Sequence, residues 1–161
     1  MASTSNQASA STSNKEAKML TLQSSDNEEF LVEESVAVQS VLIKNIVEED
    51  YTTIPLPNVA GEDLAMIIEY LKKHADPKAS EDDLKKFDDK FVDKPQSDLH
   101  YLSLAANYLE LKDLLDIVCT RIASDIRGYT VEQFRARFNI ENDFADQEER
   151  VLRNEYPWAF E

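Results

Sequence analysis

Few residues in this chain have the types and spacing to do chemistry. Cys119 is the single cysteine, and His74 and His100, the only two histidines, are the bases that would activate it. Cys119 falls among Ile117, Val118 and Ile122 in a helical pattern, so the expectation is an inert thiol buried in mid-helix. Neither histidine has an i, i+4 mate, which leaves zinc without a ligand set. Asp82-Asp83 and Asp88-Asp89 have the acid density of a calcium loop, but lysines intervene and the loop glycine is missing. With only Gly61 and Gly128 in the sequence, no glycine-rich phosphate cradle can be built. The residues point to a protein that catalyses nothing and holds neither metal nor cofactor.

The elements that would carry these side chains are easier to read. Leu99, Leu102, Ala106 and Leu109 recur at three- and four-residue steps and share one helix face. The next member would be Asp113, so that face ends. A second series, Leu111, Leu114, Leu115, Val118, Ile122 and Ile126, begins about 200° further round. Two helices with a corner near Glu110 are therefore predicted, packed as a hairpin around which the rest assembles.

Upstream, Met19–Gln23 alternates as a half-buried strand, Ser24–Glu28 is a polar turn, and Glu29–Val32 returns as a second strand. Short helices follow over Glu33–Ala37 and Ser40–Val47. Ser40 caps the second, and Val41, Leu42, Ile46 and Val47 are its expected buried side. In Thr52–Pro57, Ile54 and Leu56 alternate with Pro55 and Pro57, which remove donors along one edge, so this strand must end the sheet. Glu62–His74 is a helix buried through Leu64, Ile67, Ile68 and Leu71. The stretch from Asp76 to Asp98 is charged and contains Pro77 and Pro95. It reads as a solvated insertion loop in which Leu84, Phe87, Phe91 and Val92 form one short amphipathic helix. Gly128 stops the second hairpin helix, Thr130 caps another, and a last acidic helix runs from Gln147 to Tyr156.

Composition narrows the partners. The chain carries 32 acidic and 17 basic residues, a net charge of −15. Nucleic acid, whose binding needs cations to displace counterions, is an unsuitable partner, and so is an anionic membrane surface. The acidity serves solubility or attraction to basic partner surfaces. One cysteine and no Asn-x-Ser/Thr site suit a reducing compartment, the cytoplasm or nucleus. The longest apolar run, Leu64–Ile68, is far short of the roughly 20 residues that cross a bilayer. Residues 1–18 are expected to be a disordered polar tail.

The C-terminal stretch holds more aromatic surface than the remaining fold can cover. Phe134, Phe138, Ile140, Phe144, Tyr156, Trp158 and Phe160 lie within about thirty residues, and each aromatic buries roughly 150–250 Å² when enclosed. Either they fold back on Val118, Ile122 and Ile126, or they form a groove for another chain. We favour the groove.

Five motifs, Pro55-Leu-Pro-Asn-Val59, Leu104-Ala-Ala-Asn-Tyr-Leu109, Leu114-Leu-Asp116, Phe138-Asn-Ile-Glu-Asn-Asp-Phe144 and Asn154-Glu-x-x-Trp-Ala-Phe-Glu161, resemble the S-phase-kinase-associated adaptor family of SCF ubiquitin ligases, its plant members in particular. The resemblance runs from about Met19 to Glu161. It implies an α/β (α+β) BTB/POZ fold, a small three-stranded sheet with helices, over residues 19–127, including the acidic insertion at about 76–98. Residues 128–161 would be F-box-binding helices. It further implies a non-catalytic adaptor joining a cullin scaffold to substrate-recruiting F-box proteins. By motif position Asn107 and Tyr108 would face the cullin. Ile122, Ile126, Phe134, Phe138, Asn139, Ile140, Asn142, Phe144 and Trp158 would line the F-box groove. The chain departs from the family at His100-Tyr-Leu-Ser103, where Phe-Glu-Leu-Ile is usual, at Asp93-Lys-Pro-Gln96 and at Val131-Glu-Gln-Phe134. Ser103 is expected to weaken packing or a nearby F-box contact. Two other classes stay open on the residues alone: a self-associating BTB-type module and an acidic chaperone of basic proteins.

Overall fold

The computed structural model describes residues 18–159. The predicted tail, apart from Lys18, and Phe160 with Glu161 lie outside these residues. Strands β1 (Met19–Gln23) and β2 (Glu29–Glu33) form the expected antiparallel hairpin, with Leu20 opposite Val32 and Leu22 opposite Phe30. β3 (Thr53–Pro55) joins the other side of β1 in parallel, with Leu22 opposite Ile54, so the sheet order is β2-β1-β3. β3 occupies an edge, as its prolines require. Leu20, Leu22, Val32 and Ile54 all turn inward and are buried.

Eight α-helices are found among the described residues. α1 (Glu34–Ala37), α2 (Val41–Val47) and α3 (Gly61–His74) complete the N-terminal unit with the sheet. Ile43 is the buried side chain of α2, whereas Val41 is exposed and Leu42, Ile46 and Val47 are half-buried. Leu42, Ile46 and Val47 pack against the core as expected, while Val41 does not and Ile43, outside the expected set, is the most buried. The entry of α2 is set by Ser40, whose position fixes which side reaches the core. α3 buries Leu64, Ile67, Ile68 and Leu71, joined by Tyr70. Its own N-cap, Ala60, has no capping side chain. Asp26 in the β1–β2 turn supplies the cap instead, accepting from Gly61 N at 2.9 Å.

Within the charged stretch 76–98, α4 (Glu81–Phe91) is a well-formed helix capped by Ser80, and the next helix already starts at Gln96. α4 is fastened to α3. Phe91 is buried with its ring 5.6 Å from Tyr70, and His74 Nε2 lies 2.8 Å from Asp88 Oδ1. Only short connectors of this stretch remain as loop.

α5 (Gln96–Tyr108) and α6 (Lys112–Ile126) are the predicted hairpin. Leu99, Leu102, Ala105, Ala106 and Leu109 are buried on one side of the corner, Leu111, Leu114 and Val118 on the other. The corner is a Schellman ending: Leu111 N donates to Ala106 O at 2.9 Å and Glu110 N to Asn107 O at 3.1 Å. Glu110 adopts φ +55° there, a conformation that usually belongs to glycine. Cys119 corrects the sequence expectation, because it is exposed. The buried line of α6 runs through Leu111, Leu114 and Val118, and the next residue after Val118 is rotated about 100° away from it.

α7 (Val131–Phe138), α8 (Asp146–Glu155) and a 3₁₀ turn (Pro157–Ala159) follow as an extension. Thr130 and Gln133 form a reciprocal capping box at the start of α7. Neither α7 nor α8 contains a buried residue.

Candidate partner-binding faces

The extension places its large apolar side chains at the surface. Phe134 and Phe138, one helical turn apart on α7, have ring centroids 4.5 Å from each other and are 39% and 40% exposed. Ile140, Phe144, Val151 and Tyr156 are also exposed, and Trp158 is 75% exposed. Ile122 and Ile126 at the end of α6 are half-buried. Folding back is partial: Phe138 and Ile122 meet at a cleft of about 510 Å³ between α7 and the start of α5. A second depression of about 410 Å³ is lined by Phe144, Gln147, Glu148, Val151 and Leu152.

Polar contacts hold this open apolar surface in shape. Arg153 on α8 bonds both Glu132 on α7 and Glu149 on its own helix. Arg135 lies 3.7 Å from Glu149 and 5.8 Å over the Phe144 ring. Hydrogen bonding by Arg153 holds the Glu132 carboxyl well below its usual 4.5, to about 2. Glu149 is lowered as well, first by Asn142 and then by Arg153.

Two of the nine predicted groove residues have structural work of their own. Asn142 Nδ2 donates to Glu149 Oε2 at 3.0 Å, and its Oδ1 accepts from Phe144 N at 3.4 Å, bracing the α7–α8 connection. Asn139 ends α7 with φ +51°, and the following amide, Ile140 N, donates to Arg135 O at 2.9 Å. Asparagine tolerates this left-handed position better than other side chains.

Asn107 and Tyr108 are at the far end of α5. Asn107 is exposed, and Tyr108 is half-buried against the core. Tyr101 and Leu104 stand on the same helix side at three- and four-residue steps from Tyr108 and are 60% and 53% exposed. Sequence reasoning passed over both, since Leu104 sits beside two core alanines. The available signal was its phase, about 180° round the helix from the buried stripe of Leu99, Leu102, Ala106 and Leu109. Ser103 is half-buried, and its hydroxyl donates to His100 O at 2.6 Å within the same helix. This bond satisfies the polar group that was expected to weaken packing. The corner beneath Tyr108 is fixed by Ser40: its buried hydroxyl donates to Leu109 O at 2.6 Å while accepting from Ile43 N at 3.2 Å.

No cluster of three or more His, Cys, Asp or Glu side chains suited to a metal occurs among the described residues. His74 is engaged with Asp88 and stacked on Tyr70 at 4.1 Å.

A small sheet packed on helices, continued by a helical extension whose apolar face has no cover among the described residues, defines a protein of the BTB/POZ type. Sequence comparison supplies the particular family. The Skp1 family tetramerisation domain matches residues 18–76, and the Skp1 family dimerisation domain matches residues 112–159. SKP1-like protein 11 of Arabidopsis thaliana is 50% identical over 149 residues, covering 89% of this chain and 98% of the relative. SKP1-like protein 4 of the same plant is 48% identical over 158 residues, covering 89% and 97%. SKP1-like protein 1 of Oryza sativa subsp. japonica is 45% identical over 168 residues, covering 91% and 97%. The chain belongs to the Skp1 family, as a plant-type member, and is a non-catalytic adaptor subunit of SCF ubiquitin ligases that works between F-box proteins and a cullin.

Proposed function

We propose that the adaptor engages its two partners through two separate faces. F-box proteins dock on Ile122, Ile126, Phe134, Phe138, Asn139, Ile140, Asn142, Phe144 and Trp158. The cullin docks on Asn107 and Tyr108, with Leu104 extending that contact. The observation that carries the reading is the uncovered apolar surface of α7, α8 and the 3₁₀ turn, held in shape by polar bonds and lacking any buried residue. Exposed apolar patches of this kind mark interaction sites. The adaptor's contribution is geometric. Holding substrate receptor and ubiquitin-transfer machinery on one rigid body raises the effective concentration of one for the other. Asn139 and Asn142 contribute chiefly by shaping the groove. Nucleic acid and membrane lipid are not among the partners proposed for a chain of net charge −15, and its place of action is the cytoplasm and nucleus.

Paired substitutions test the division of labour. The double variant N107K/Y108K buries unpaired charge in the cullin contact and should weaken cullin binding more than about a hundredfold, with F-box binding unchanged. F138A/W158A should do the reverse. Both are measured by calorimetric titration against a cullin N-terminal domain and an F-box domain. If either variant weakens both partners equally while keeping its melting temperature, the two-face assignment is wrong.

A further inference from the structure

We infer that the cleft between α5, α6 and α7 selects F-box proteins that present an acidic side chain to it. The inference rests on the F-box reading above and narrows it. Ile122, Phe138 and Pro95 form the apolar part of this cleft of about 510 Å³, and Gln96, Ser97, His100 and Arg137 form the rest. No lining residue is acidic, on a chain where acids outnumber bases 32 to 17. Arg137 Nε donates to Gln96 Oε1 at 2.5 Å, which ties the guanidinium to the first turn of α5 across the cleft. The arginine ion pairs among the described residues belong to Arg121, Arg135 and Arg153, and none includes Arg137. The Ser97 hydroxyl already donates to Asp98 Oδ1 at 2.8 Å, so the remaining guanidinium donors of Arg137 and the exposed His100 ring are what the cleft offers an acceptor beside its two apolar walls.

A partner helix lying over Ile122 and Phe138 would take these donors out of water. An aliphatic side chain at that point leaves the guanidinium desolvated without an acceptor, which is costly. A carboxylate accepts charge-assisted bonds from it. The same cleft thereby favours one set of F-box partners and penalises another.

The test uses the whole chain and one purified plant F-box domain, displayed as a library in which each exposed helix position is set in turn to Asp, Ala or Leu. One position, or two a helical turn apart, should bind about tenfold or more tightly with Asp than with Leu. The variant R137Q should erase that preference, and R137K should keep most of it. A library with no Asp-preferring position overturns the inference while leaving F-box binding in place, and so does an R137Q chain that retains the preference. Failure of the native chain to bind the unsubstituted F-box domain overturns the underlying docking assignment as well.

Discussion

At the scale of single residues, Ser40 joins parts of the chain that are far apart in sequence. Its side chain is completely buried, caps α2 through Ile43 N and bonds the carbonyl of Leu109, 69 residues away. One hydroxyl thus fastens the entry of α2 to the end of α5, directly under the proposed cullin contact. The substitution S40A strands a buried amide and a buried carbonyl, and urea unfolding should register a loss of about 2–3 kcal/mol. A loss below about 0.5 kcal/mol would mean that neither bond matters in solution. Only half of this role was legible in the sequence. A serine before an apolar run announces a cap, but a tertiary partner 69 positions on leaves no local trace. Cys119 is the opposite case. Apolar sequence neighbours suggested burial, yet adjacent residues on a helix point in different directions, and phase decided the outcome.

At the scale of elements, α7 and α8 depend on charge where the others depend on burial. The link is Arg153 to Glu132 and Glu149, reinforced by Arg135 and Asn142. Glu132 in the folded chain titrates at about 2, below its ordinary 4.5. A depressed carboxyl stabilises the fold above its unfolded pKa and loses that contribution as pH falls through the folded value. The α7–α8 contact should therefore be constant above about pH 5 and weaken progressively between about 4.5 and 2. Amide resonances of α7 followed from pH 6 to 2 are the measurement. The substitution E132Q should flatten the change assigned to this contact, and an unchanged profile would exclude the bridge as its source. The elements themselves were largely legible. The strands, the edge prolines, the corner at Glu110 and the Thr130 cap all follow from spacing and backbone chemistry. α4 was harder to delimit, because only Phe87 and Phe91 of a mostly charged segment report its packing on Tyr70 and His74. The excess of aromatics near the C-terminus foretold an uncovered apolar surface. The ion pairs that shape it could not be read, since charged residues on an acidic chain have many possible partners.

At the scale of the whole molecule, the buried core and the uncovered apolar surface belong to different parts of the chain. The sheet, helices α1 to α5 and the first half of α6 share one apolar core, while the extension meets that body through an open cleft and exposed polar bonds. Segments with few buried contacts open at low free-energy cost, whereas core helices open only with global unfolding. On the docking proposed above, covering the α7–α8 surface with an F-box domain would remove large apolar side chains from water, and that burial would add to the stability of the extension alone. Hydrogen exchange should consequently divide the chain in two. In the free protein, amides of α7 and α8 should exchange well before those of α3 and α5. Addition of an F-box domain should slow them by at least tenfold with little effect on α3. A cullin N-terminal domain, on the contact proposed at the other end of α5, should leave them unchanged. If α7 and α8 are already as protected as α3 in the free chain, the apolar surface is a finished part of the fold and needs no partner to complete it.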